Sequence, residues 1–172
     1  LLGDPSEFIG LKGLIAPESL FGTIPTTVFI AFQAMFAVIT VALISGAIAD
    51  RVKFGAWVVF VIVWSTLVYF PVAHWVFDFD SGDNDPGGWI ANQLGAIDFA
   101  GGTAVHINAG IAGLAAVLVI GKRAGFGREP FKPHNLTLVM VGAGLLWFGW
   151  FGFNAGSAVA SNAAAGITFL NT

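Results

Sequence analysis

The sequence contains no cysteine, and among its 172 residues there are only 7 Lys and Arg and 10 Asp and Glu. Without cysteine there is no disulfide framework, no thiolate nucleophile and no cysteine-held metal. A water-soluble domain carries about 25% charged residues; here the share is 10%. The formal net charge of −3 says little by itself, because its distribution matters more than its sum; no nucleic-acid partner is expected. Alternating short strands are missing, which argues against a membrane barrel. The three histidines, His74, His106 and His134, are too far apart to form a helical metal pair. No nucleophile–base pair and no cofactor motif is visible, so an enzyme is not expected. A leader with a basic start is also missing. The chain opens on Leu1 and closes on Thr172 just after an apolar stretch, which sets the expectation of a piece of a longer protein.

What is present is apolar. Hydrophobic residues make up 56% of the chain, the mean hydropathy is +0.83, and there are 17 Phe and 6 Trp. Backbone in lipid must satisfy its own hydrogen bonds, so the expected class is all-α and membrane-embedded. Four apolar segments, about 25–49, 55–77, 100–120 and 136–160, are each long enough to cross ~30 Å of hydrocarbon. Residues 1–24 read as a Gly- and Pro-containing lead-in loop.

Charge sorts between the connections. "DRVKF" (50–54) carries Arg51 and Lys53; "GKRAGFGREPFKPHN" (121–135) carries Lys122, Arg123, Arg128 and Lys132. The connection 78–97 has Asp78, Asp80, Asp83 and Asp85 and neither Lys nor Arg. The excess of Lys and Arg places 50–54 and 121–135 in the cytoplasm and 78–97 outside. The lead-in and the C-terminus then also lie outside. "NLT" at 135–137 matches a glycosylation acceptor, but on the cytoplasmic side it has no use. Glycines in the third and fourth spans, among them the Gly152/Gly156 pair, predict close helix packing.

Few polar groups interrupt the spans. His106 falls eight residues after Asp98, about 12 Å along a regular helix and near the bilayer middle. Gly102, Ala109, Gly110 and Gly113 share its face. An ionisable group there is either interhelical hydrogen-bonding glue or part of a conduction path. Asp98 opens the third span, where a carboxylate caps free N–H groups and adds negative field at the outer face. Phe32 and Phe36 are one turn apart on the first span, as are Phe153 and Ser157 on the fourth. Clustered aromatics at the outer ends of spans can hold a cation against their ring faces, with a hydroxyl as acceptor. Trp75 and Phe77 stand where an interfacial aromatic belt is also expected.

Three segments carry a resemblance. "DFAGGTAVHINAGIAGL" (98–114), "GKRAGFGREPFKPHN" (121–135) and "GWFGFNAGSA" (149–158) resemble signature segments of the ammonium transporter (Amt/MEP/Rh) family. "AFQAMFAVITVALISGAIADR" (31–51) and "FPVAHWVF" (70–77) are similar to its third and fourth spans. The resemblance covers 25–172. It implies a partial transporter domain supplying four of the spans of an eleven-helix, inverted-repeat fold that assembles as a homotrimer. It further implies multi-pass insertion in the cell membrane, ammonium or ammonia as substrate, no cofactor, and possible docking of a PII-type regulatory protein at the cytoplasmic face.

By the same resemblance, Phe36, Phe77, Ser157 and Asp98 surround an external recruitment site. Phe36 and Phe153 form a stacked gate, supported by Phe32 and Gln33, and His106 is the first of two pore histidines. Many members have tryptophan where this chain has Phe77, so weaker cation capture is expected. The second histidine belongs to a later span. An ammonium sensor and an Rh-like neutral gas channel are the alternatives; the Phe36, Phe153 and Ser157 set favours the ammonium branch.

Overall fold

A computed structural model describes residues 6–79 and 86–172. Asp80, Asp83 and Asp85 of the acidic connection and the first five residues lie outside the described residues. Four helices are long and apolar enough to cross a membrane: α1 (Thr26–Ile48), α2 (Phe54–Phe77), α3 (Gly102–Ile120) and α4 (Leu136–Gly156). A shorter helix, α5 (Ala163–Asn171), follows, and a two-residue-strand hairpin, β1 (Leu20–Phe21) with β2 (Ile24–Pro25), precedes α1.

Two of the long helices contain a widened turn. In α2 the Phe70 N–H bonds to the Ser65 carbonyl, five residues back. Pro71 follows, with no N–H and a ring that crowds the turn before it; a wider turn relieves that crowding. In α3 the first turn is wide, and the His106 N–H reaches back to the Gly101 carbonyl at 3.0 Å.

The core lies where α1, α2 and α3 meet. Phe36, Val41, Ile44, Trp64, Tyr69, Val105 and Ala109 are its buried members. Thr40, fully buried, donates to the Phe36 carbonyl at 2.5 Å, so its hydroxyl is satisfied inside an apolar centre. At the opposite end from β1 and β2, the Arg51 guanidinium donates to the Ala47 and Gly121 carbonyls, tying the C-terminal ends of α1 and α3. Arg123 pairs with Asp50 at 3.3 Å across the same junction.

Two expectations change. The fourth helix stops at Gly156 rather than near 160, with Ser157 as its C-cap and Val159 at φ 50°. The chain then folds back: Trp147 Nε1 donates to the Thr172 carbonyl at 3.2 Å, and Asn154 donates to the Thr172 hydroxyl at 3.1 Å. Thr172 therefore lies alongside α4 rather than beyond its end, where the charge pattern had put the C-terminus. Asn162 starts α5 by accepting from the Ala165 N–H, and Asn135, the residue of the "NLT" motif, caps α4 in the same way.

Close approach at glycine is seen at two places. Of the Gly152/Gly156 pair, Gly156 packs against α1, where a Cβ would come 3.0 Å from the Phe32 ring, while Gly152 meets nothing within 4 Å among the described residues. The other is Gly113 of α3, where a Cβ would come 3.3 Å from the Ala47 Cβ of α1. Gly113→Leu in the full-length parent is expected to wedge α1 from α3 and destabilise it by roughly 1–3 kcal/mol. Thermal unfolding in detergent checks this; an unaltered midpoint would contradict the packing described.

Candidate functional site

α4 meets the other spans through rings. Phe153 stacks on Phe36 with centroids 4.4 Å apart and planes 10° from parallel. Phe32 meets Phe36 edge-on at 4.8 Å, and Phe77 does so from α2 at 5.9 Å and 84°. Two glycines make the room. Gly101, at φ 89°, would place a Cβ 3.2 Å from the Phe36 ring and 2.7 Å from Val105. A Cβ at Gly156 would lie 3.0 Å from the Phe32 ring.

On the hairpin side of this cluster lies a cavity of about 320 Å³. Phe32, Gln33, Phe36, Phe77, Asp98 and Ser157, all singled out from sequence, line it together. Phe21, Phe29, Phe79 and Phe99 also line it, so seven of its fifteen lining residues are phenylalanine. Ring faces of this kind attract cations through their quadrupoles. The Ser157 hydroxyl donates to the Phe153 carbonyl at 2.8 Å. Its one proton is thereby engaged, and its oxygen presents lone pairs.

Asp98 is bound entirely by local backbone. Oδ1 accepts from the N–H groups of Gly101 and Gly102 at 2.6 and 2.7 Å. Oδ2 accepts from Thr103 and Ala104 at 2.7 and 3.0 Å. A carboxylate has about four acceptor positions, and four donors fill them. These are the N–H groups that a helix start leaves without partners. Asp98 thus caps α3 and adds negative charge beside the cavity, without a free lone pair for direct coordination.

His106 sits on the other side of the ring cluster. Its imidazole lies parallel to the Trp150 indole, 2° between planes and 5.7 Å between centroids, and 6.1 Å from Phe153. It borders two spaces. One, about 320 Å³, is lined by Trp150, Phe153 and apolar residues of α1 and α4; the other, about 450 Å³, by Ala109, Gly110, Gly113 and neighbours on α1 and α3. Phe36 lines the hairpin-side cavity with Ser157, and Phe153 lines the space beside His106, so the stacked pair stands between Ser157 and His106.

The spacing of His106 from Asp98 is not that of a regular helix. Residues 98–101 are not helical, so the 12 Å spacing does not apply, and His106 stands in the wide first turn of α3. The wide turn also changes the angular step, and Gly102 drops out of the shared face while Ala109, Gly110 and Gly113 remain on it.

Sequence reasoning missed Trp150, Phe21 and Phe29. Trp150 was findable: it is three residues before Phe153 and so on the same helical face. Phe29 is four residues before Gln33 and findable in the same way. Phe21 lies in the lead-in, where no periodicity points anywhere.

Comparison with known proteins follows from this geometry. Residues 2–172 match the model of the family described as the Ammonium Transporter Family. An ammonium transporter of Mycobacterium tuberculosis (strain ATCC 25618 / H37Rv) is 59% identical over all of this chain. One from Bacillus subtilis is 49% identical over 96% of it, and one from Aquifex aeolicus 49% over 99%. The chain spans 39% of the length of the first two relatives and 37% of the third.

Asp98→Asn is expected to lower folding stability of the full-length parent about as much as Asp98→Ala, by roughly 2 kcal/mol. An amide would turn N–H donors toward N–H donors. Thermal unfolding of the purified variants checks this; wild-type stability of the Asn variant would show that the four-bond cap is not the role of Asp98.

Proposed function

The chain belongs to the ammonium transporter family, and we propose that its parent protein transports ammonium across the membrane by separating proton from ammonia at the ring partition. One observation carries the reading. Six residues singled out from sequence converge on one phenylalanine-walled cavity, and a stacked ring pair divides that cavity from a histidine-lined one.

The energetics favour this division of labour. A bare ammonium ion in hydrocarbon meets a penalty of order tens of kcal/mol. Releasing its proton near pH 7 takes only ~3 kcal/mol, about two pKa units. Neutral ammonia then avoids nearly all of the desolvation. The outer cavity gathers the cation: Phe36 and Phe77 offer ring faces, Ser157 an acceptor oxygen, and the charge of Asp98 lowers the potential nearby. At a centroid separation of 4.4 Å the Phe36–Phe153 pair leaves no room for an ion, so passage requires the rings to part. Phe32 and Gln33 support the outer ring. Beyond the pair, His106 is the polar group of an otherwise apolar path. An imidazole can donate at one nitrogen and accept at the other, which suits both ammonia and a proton relay with a second histidine on a later span of the parent.

The wider assembly follows the family. Residues 50–54 and 121–135 face the cytoplasm and 78–97 the exterior, in a homotrimer whose cytoplasmic face offers a surface to a PII-type regulator. The alternating ends of α1 to α4, with Arg51 and Arg123 at one end and Phe77 and Ser157 at the other, support that orientation.

Two measurements test the reading in the full-length parent. His106→Ala should change methylammonium uptake or its selectivity at least tenfold; unchanged transport would remove His106 from the path. Phe77→Trp should lower the KM for methylammonium roughly 2- to 5-fold, because indole is the better cation partner, by about 0.5–1 kcal/mol. An unaltered KM would place residue 77 outside the cation's reach.

A further inference from the structure

We propose that Phe21, which lies before the first span, is a cation-contacting wall of the outer cavity and tunes its affinity for small ammonium-type cations. The inference rests on the proposed outer recruitment cavity and adds a member from outside the four spans.

The hairpin that carries Phe21 is built onto the start of α1. Phe21 pairs with Ile24 and Leu20 with Pro25. Gly22 takes φ 60° at the first position of the two-residue turn, where glycine is favoured. Ser19 and Thr26 lock the base of the hairpin: the Thr26 N–H donates to the Ser19 carbonyl at 2.9 Å, and the Ser19 hydroxyl donates to the Thr26 hydroxyl at 2.8 Å. Thr26 is buried. A hairpin clamped in this way holds its side chains in fixed directions.

The ring of Phe21 is then stacked on Phe29, with centroids 3.7 Å apart and planes 9° from parallel. Both rings line the same cavity as Phe36, Phe77 and Ser157. The stack on Phe29 occupies one face of the Phe21 ring, and 45% of Phe21 stays exposed. The cavity, at about 320 Å³, exceeds a bare ammonium ion several-fold, since one water takes about 30 Å³. A cation inside it is therefore still partly hydrated, and affinity grows with the number of ring faces that replace its water. With phenylalanine at 77, each additional ring face matters more, and the hairpin brings one.

The test separates ring electronics from shape. In the full-length parent, Phe21 is replaced by 4-fluoro-, 3,5-difluoro- and 3,4,5-trifluorophenylalanine, which keep the ring and progressively weaken its quadrupole. Phe21→Leu and Phe21→Tyr are measured beside them. The expected result is a KM for methylammonium that climbs with each fluorine to about 2- to 5-fold, with kcat unchanged. Phe21→Leu should behave like the trifluoro variant and Phe21→Tyr like the wild type. A KM independent of fluorination, or a leucine variant equal to tyrosine, overturns the proposal. The same series at Phe77 serves as the reference: a response at 77 and none at 21 overturns only the role of Phe21. Flat series at both positions, together with an unaltered Ser157→Ala, overturn the outer-cavity reading as well.

Discussion

Phe36 and Phe153 lie face to face, 4.4 Å apart, and much of the arrangement hangs on that contact. Phe36 is 2% exposed, enclosed by residues of all three core helices. Phe153 belongs to α4, a helix with no buried residue. Among the described residues α4 meets the other spans through aromatic contacts and through the close approach of Gly156 to Phe32. Aromatic pairs add about 0.5–1.5 kcal/mol beyond their buried area, enough to fix an orientation and small enough to be broken and re-formed. The same contact stands between the two spaces lined by Ser157 and by His106.

The polar groups around that partition share one trait: nearby backbone binds them. Asp98 holds four N–H groups of α3, Ser157 donates to Phe153, and Thr40 donates to Phe36. In a low-dielectric surrounding an unpartnered polar group is expensive, and local pairing removes that expense. It also determines what each group can offer. Asp98 contributes charge without a free lone pair, and Ser157 contributes an acceptor oxygen with its proton engaged. His106 differs: among the described residues its ring makes face contacts with Trp150 and Phe153.

Much of this was readable in the linear order. Span count followed from apolar length, because crossing hydrocarbon needs about 20 residues. The capping role of Asp98 followed from its place before a helix. Other features were not readable. The end of α4 at Gly156 was hidden because the residues that follow are also apolar. The spacing of His106 from Asp98 was not readable because the turn between them is irregular and wide. Which α4 glycine packs was not readable either: Gly156 meets Phe32 of α1 while Gly152 stays open among the described residues, since composition does not say which helix approaches.

By itself the sequence determined the membrane class, the number of long spans and the family, because each depends on run length, charge order or a matched motif. Only the tertiary structure decided which rings meet. Phe21 of a hairpin, Phe36 of α1, Phe77 of α2 and Ser157 after α4 come from four parts of the chain, and no local period relates them. Their convergence depends on how helices cross and on where Gly101 and Gly156 let rings approach. That is a property of packing in three dimensions, and a one-dimensional pattern carries no record of it.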